Sequence, residues 1–85
     1  MTSQQVAEII QKYAKQNIHI EVICDGFKLN IPVCYRGVIH YLNENGEWIT
    51  DDTGCYGMDW QAAFDDVVEN AEVVEYAKHL NTKER

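Results

Sequence analysis

The sequence predicts an α+β fold with an N-terminal helix, a three- to four-stranded antiparallel sheet with short hairpins, and a C-terminal helix packed on the sheet. Apolar residues recur with helical spacing near both ends of the chain. Between the ends they alternate with polar residues, and Asp-Gly and Asn-Gly pairs that favour tight turns separate the alternating runs. A length of 85 residues predicts one domain, residues 1–85, and 46% hydrophobic content with 25% charged residues argues against disorder.

The first helix is predicted to begin at a capping box of Thr2 and Gln5, because each side chain can pair with the other residue's backbone amide. An apolar face follows at spacings of three, one and three. Its members are Val6, Ile9, Ile10 and Tyr13. The helix is expected to end near residues 16–17.

Two strands are predicted next, since the apolar period changes to two at Ile18. The first covers residues 18–24, and the pair Asp25-Gly26 predicts a hairpin turn after it. A second alternation covers residues 27–35. Because Pro32 has no amide proton, this strand lies at an edge or breaks there.

The third strand is predicted over residues 38–42. A second hairpin turn, residues 44–47 around Asn45-Gly46, leads into a strand at 48–50. Residues 51–57, DDTGCYG, contain two glycines and show no periodicity, so they are expected to form a loop.

The last helix is predicted to begin at Asp59, a favourable N-cap residue, with Met58 as the hydrophobic contact before it. Its core-facing stripe consists of Trp60, Phe64, Val67, Ala71 and Val74, with Ala63 alongside. Several apolar residues fall outside this stripe, namely Val68, Val73, Tyr76, Ala77 and Leu80. They indicate either a bend near Asn70 or a second apolar face.

The net charge of −7 is unevenly distributed along the chain. Residues 1–43 carry +1, residues 44–75 carry −10 with no Lys or Arg, and residues 76–85 carry +2. Such asymmetry produces a directional field that repels nucleic acid and lipid headgroups and attracts basic surfaces.

A binding site is predicted on the acidic half of the chain. Its candidate residues are Asp51, Asp52, Tyr56, Asp65, Asp66, Glu69, Glu72 and Glu75. On the helix, like charges three and four positions apart cost a few tenths of a kcal/mol each, with no lysine to offset them. The other interpretation is a helix face that is only solvated. Tyr56, in the predicted loop, is the aromatic residue expected to be exposed.

No catalytic, metal or cofactor site is predicted. Cys24, Cys34 and Cys55 lack metal-binding spacing and are expected to be free thiols. Cys55 is the only candidate nucleophile, with His40 or His19 as its base, but the neighbouring carboxylates would disfavour a thiolate. We therefore expect a protein that is not an enzyme and has no cofactor.

A cytoplasmic location is expected, because the first residues lack the basic start and apolar run of a signal peptide. No window of the sequence approaches the length of an apolar membrane span.

The order of elements resembles that of two families. A short helix, a hairpin-rich sheet and acidic segments in a chain below 90 residues look like some phage anti-CRISPR inhibitors, whose carboxylates occupy nucleic-acid-binding sites. The order Asn45-Gly46, Gly54-Cys55, helix is similar to HicB-type antitoxins, although Thr53 stands where that family usually has Pro. The segment between Gly54-Cys55 and the helix is also shorter, and the preceding elements are foreign to that family. We assign the chain to neither family.

Two functions remain open at this point. The first is a small acidic binding or inhibitor protein that engages a basic surface of a partner protein, such as a nucleic-acid-binding or defence enzyme, as a phage anti-defence protein or DNA mimic would. It predicts no direct binding to nucleic acid or membrane. The second is an antitoxin-like, homo-oligomeric structural or regulatory module that uses Val68, Val73, Tyr76 and Leu80 of the C-terminal helix.

Overall fold

The structure, a computed structural model, describes residues 1–24, 27–28, 31–32, 34–55 and 59–83, and within these it leaves out the side chains of 27–28, 31–32, 55 and 81–83. The elements in chain order are α1 (Ser3–Ala14), β1 (Ile18–Cys24), β2 (Phe27–Lys28), β3 (Ile31–Pro32), β4 (Tyr35–Leu42), β5 (Trp48–Cys55) and α2 (Trp60–Lys83). The predicted α+β fold is confirmed.

The main sheet is antiparallel and has the strand order β1-β4-β5. Both helices pack on one face of it, where Ile18, Ile20 and Ile39 meet Tyr13 of α1 and Phe64 of α2. The core is therefore a single layer between the sheet and the two helices. Half-buried side chains complete it, including Val6, Ile9, Ile10, Trp60, Val68 and Val74.

The predicted helix starts are confirmed. The Thr2 amide donates to Gln5 Oε1 at 2.8 Å, and the Gln5 amide donates to Thr2 Oγ1 at 3.2 Å. At the start of α2, Asp59 Oδ1 accepts from the Ala62 amide at 3.0 Å. Met58 lies outside the described residues. The first helix ends at Ala14, slightly before the predicted end, and Asn17 takes a left-handed φ of 61° before β1.

The single strand predicted over residues 27–35 is wrong. Two short strands, β2 and β3, pair with each other instead, and Tyr35 already belongs to β4. The antiparallel pairing of Lys28 with Ile31 reverses the chain before Pro32, the residue at which the sequence predicted an edge or a break. The Asp25-Gly26 turn lies outside the described residues.

The loop predicted from residue 51 is wrong for residues 51–55, which continue β5. This strand lies at the end of the sheet order, and Asp51 and Asp52 are exposed, so no apolar alternation marks it. Backbone pairing to β4 supports it, together with a hydrogen bond from the Gly37 amide to Thr53 Oγ1 at 3.1 Å. The predicted turn between β4 and β5 is confirmed, since Gly46 has φ 79° and the Asn43 side chain accepts from two turn amides.

The helix α2 approaches β4 most closely at Gly37. A Cβ atom placed on Gly37 would lie 2.7 Å from Val67 Cβ and 2.9 Å from the Ala63 carbonyl oxygen. Only a residue without a side chain allows this approach. The contact positions the N-terminal half of α2 on the sheet and leaves its opposite face to solvent.

The helix α2 continues without interruption through Asn70, from Trp60 to Lys83. Val68 packs half-buried against the core, whereas Val73, Tyr76 and Leu80 are exposed. The second apolar face is therefore present and excludes Val68.

Cys34 is only 5% exposed and its sulfur is disulfide-bonded. The expectation of free thiols is therefore wrong for this residue. A lack of CxxC spacing could not exclude the bond, because a disulfide depends on proximity in the fold.

Candidate functional site

The candidate site is the face of α2 that points away from the sheet. Ala63, Phe64, Val67 and Ala71 are buried on the opposite side of the helix, as their spacing predicts. Their burial fixes the rotation of α2 and so decides which side chains reach solvent. We treat the outward face in two parts: the acidic row, Asp65, Glu69 and Glu72, and the apolar patch, Val73, Tyr76 and Leu80.

The acidic row is fully on the surface, since all three of its members are exposed. The Gln61 amide group donates to Asp65 Oδ1 at 2.8 Å from one helical turn before. Among the described residues, Asp52 forms an ion pair and no member of the row does. The carboxylates therefore repel one another at helical spacing, and no described cationic side chain pairs with them.

The apolar patch begins where the acidic row ends. Val73 is 66% exposed, Tyr76 65% and Leu80 41%, and their spacings of three and four put them on one line along the helix. Large apolar side chains side by side on a surface are typical of protein contacts, and Tyr is enriched at the residues that dominate binding energy.

Glu75 turns away from the acidic row, toward the end of α1. The Gln16 side chain donates to Glu75 Oε2 at 2.7 Å, and Lys78 Nζ donates to the Gln16 carbonyl at 3.0 Å. A groove of about 680 Å³ lies here between the helices, and Lys12, Glu72 and Glu75 help to line it. Glu75 thus helps to hold α2 against α1, while Glu72 belongs to both the groove and the outward face.

The carboxylates beside this groove also act on the buried Tyr13. Burial raises the pKa of the Tyr13 phenol, and the negative charges of Glu75 and then Glu72 raise it further. Burial of Lys78 lowers the pKa of its ammonium group. Glu72 and Glu75 therefore lie close enough to the Tyr13 phenol for their charges to disfavour its ionised form.

The remaining predicted site residues are distributed over the sheet. Asp51 and Asp52 are exposed on β5 and line a cleft of about 350 Å³ beside Asn70 and Val73 of α2. Asp52 also pairs with Arg36 at 3.6 Å. Asp66 is half-buried in the first half of α2. Tyr56 lies outside the described residues, so the expectation of its exposure remains a prediction.

Sequence reasoning missed the face of the sheet that the two helices leave uncovered. There His40 Nε2 lies 3.2 Å from Glu21 Oε1 and His40 Nδ1 lies 2.9 Å from Thr50 Oγ1, so one imidazole links three strands. The His19 and Trp48 rings lie 5.5 Å apart on the same face, and Trp48 is 54% exposed. The signal was available, because these residues occupy the polar phase of the period-two alternation.

Neither a metal-binding cluster nor a membrane-spanning helix occurs among the described residues. The described residues contain no cluster of three His, Cys, Asp or Glu side chains that could hold a metal ion. Neither helix within the described ranges combines the length and apolar character needed to cross a bilayer. The side chain of Cys55 is not among those described.

Comparison with protein-family models, curated proteins and solved structures finds no match to this chain.

Proposed function

We propose that this protein is a small binding protein that engages a basic surface of a partner protein through the outward face of α2. The observation that supports it is the continuity of that face, in which the exposed acidic row adjoins the exposed apolar patch. Asp51 and Asp52 extend the negative surface onto the edge of the sheet.

The two parts of the face have complementary roles in this proposal. The carboxylates of the acidic row repel one another in the free protein, and a cationic partner removes that cost. Their field also speeds encounter with a basic surface and makes the association rate fall with added salt. Tyr76 and its apolar neighbours then supply apolar surface that binding removes from water.

The partner class that best fits this face is a protein that itself contacts DNA or RNA. Such proteins carry basic surfaces that bind phosphates. A row of carboxylates on a rigid helix competes for the same lysines and arginines. The protein would then act as an inhibitor or adaptor of a nucleic-acid-binding or defence enzyme without contacting nucleic acid itself.

The test compares two triple variants that change net charge by the same amount. One replaces the acidic row: Asp65→Lys, Glu69→Lys and Glu72→Lys. The matched control replaces exposed carboxylates away from this face: Glu8→Lys, Glu21→Lys and Glu47→Lys. Each is used with the wild type to capture proteins from a bacterial lysate, after circular dichroism has shown that all three fold.

We expect a protein that the wild type and the control retain, that the acidic-row variant does not retain, and that salt releases. The purified captured protein should then lose bound DNA or RNA when the wild type is added. Equal loss with both triple variants would mean that only total charge matters. Retention by the acidic-row variant would overturn the proposal.

The apolar patch also favours a second candidate function, a homo-oligomeric module. The observation is that Val73, Tyr76 and Leu80 are exposed in the single chain. An interface with a second copy would remove their apolar surface from water, which is favourable. Sedimentation distinguishes this candidate, because self-association requires no other protein.

A further inference from the structure

We propose that a second copy of this chain covers the apolar patch, with the two α2 helices side by side and antiparallel. This inference rests on the second candidate function and specifies how the copies meet. Val73 of one copy would lie opposite Tyr76 of the other, and the two-fold symmetry repeats the contact.

The spacing of the apolar patch fits a helix–helix contact. Val73, Tyr76 and Leu80 follow one another at three and four residues, the pattern of a seam between paired helices. The small and exposed Ala77 lies beside the seam and lets a second backbone approach. The seam extends over about 10 Å of the helix.

The polar side chains beside the seam decide the orientation. Glu72 precedes the patch, His79 lies between Tyr76 and Leu80, and both side chains are exposed. In an antiparallel pair, Glu72 of each copy meets His79 of the other, so an imidazole N–H can donate to a carboxylate at two places. A parallel pair would bring the two acidic rows together, where like charges repel. Antiparallel helices also align their dipoles favourably.

The size of the patch sets the expected strength. Three side chains and their margins cover much less than the roughly 800 Å² per partner of a standard stable interface. We therefore expect a weak, reversible dimer rather than an obligate one. Asp65 lies near the end of the overlap, so a dimer would present an acidic surface at each end.

The test is sedimentation equilibrium of the full chain from about 10 μM to about 1 mM, the range suited to a small interface. The wild type should show a reversible monomer–dimer equilibrium. Tyr76→Ser should raise the dissociation constant by roughly tenfold. Glu8→Lys, an exposed change on α1, should alter it less than about twofold, and circular dichroism checks that every variant folds.

Exchanging the two polar residues tests the orientation. Glu72→Lys and His79→Glu should each weaken the dimer roughly tenfold, since each removes two symmetry-related hydrogen bonds and His79→Glu also brings carboxylates together. The double variant Glu72→Lys/His79→Glu should recover the wild-type affinity or exceed it. A double variant as weak as the single ones overturns the antiparallel arrangement.

A wild type that remains monomeric up to about 1 mM overturns self-association itself. These outcomes are separate from the basic-partner proposal, which the lysate comparison of the two triple variants tests. A captured partner with a monomeric wild type would support that proposal and overturn this one.

Discussion

The side chain of Gln16 donates through Nε2 to Glu75 Oε2 at 2.7 Å and so joins two residues 59 positions apart in the chain. The bond links the end of α1 to α2 just beyond the acidic row. Glu75 lies four residues after the buried Ala71, so helical spacing places it on the core side of α2 rather than with Asp65 and Glu69, and the bond to Gln16 holds it there.

Loss of this bond should lower stability. Gln16→Ala is expected to reduce the free energy of unfolding by about 1 kcal/mol, because the half-buried Glu75 loses a hydrogen-bond donor. Gln4→Ala is the matched control, since Gln4 makes a similar bond to Glu8 at 3.3 Å on the exposed surface of α1. Urea denaturation measures both, and equal losses would contradict a special role for the contact between helices.

Gly37→Ala should lower the free energy of unfolding by about 1–3 kcal/mol, because the added Cβ meets Val67 Cβ and the Ala63 carbonyl oxygen. Val67→Gly removes the Cβ atom itself and should cost about 3 kcal/mol alone, through the cavity it leaves and the helix propensity it loses. The double variant should cost less than the sum of the two, since the new methyl group at position 37 then meets no Cβ atom at position 67. Strict additivity in denaturant unfolding would show that α2 does not approach β4 as closely as described.

The Tyr13 phenol should make stability depend on alkaline pH. Its raised pKa favours the neutral form in the folded state, so the stabilisation is fully present below about pH 10 and is lost as pH rises through the folded-state pKa. Tyr13→Phe removes the titrating group and should show a smaller loss of unfolding free energy above pH 10. In the folded wild type, the phenolate absorbance should show one tyrosine that ionises at a higher pH than the others. The Tyr13→Phe variant should lack that step.

Asp59→Ala should cost about 1 kcal/mol of unfolding free energy, because the Ala62 amide loses its acceptor at the start of α2. The control is Asp65→Ala, an exposed carboxylate of the same helix that caps nothing, for which a change within about 0.5 kcal/mol is expected. Thermal unfolding followed by circular dichroism compares them. Equal effects would mean that Asp59 acts through its charge alone.

Glu69→Lys should raise the stability of the free protein by roughly 0.5–1 kcal/mol at low salt, since position 69 faces carboxylates three and four residues away. The gain should shrink in about 1 M salt, where such interactions are screened. The same substitution should weaken partner binding if the proposed function holds. No gain at low salt would show that the acidic row carries no repulsion to relieve.

Local structure could be read from the sequence where the physical cause is itself local. The capping box of Thr2 and Gln5, the N-cap at Asp59 and the buried stripe of α2 depend on residues within one or two helical turns. The acidic row followed from the same helical period. The strand at residues 51–55 could not be read in this way, because its support comes from β4 and from the Gly37 amide rather than from its own pattern.

By itself the sequence determined the α+β class, the two helix starts and the concentration of negative charge in one half of the chain, since each depends on composition or short-range spacing. The tertiary structure decided that Glu75 turns to α1, that β5 continues through Asp51 and Asp52, and that Val73, Tyr76 and Leu80 remain exposed while Val68 is covered. Those outcomes depend on which parts of the chain that are distant in sequence pack together. A periodic pattern identifies apolar residues, but it does not show which of them another element covers.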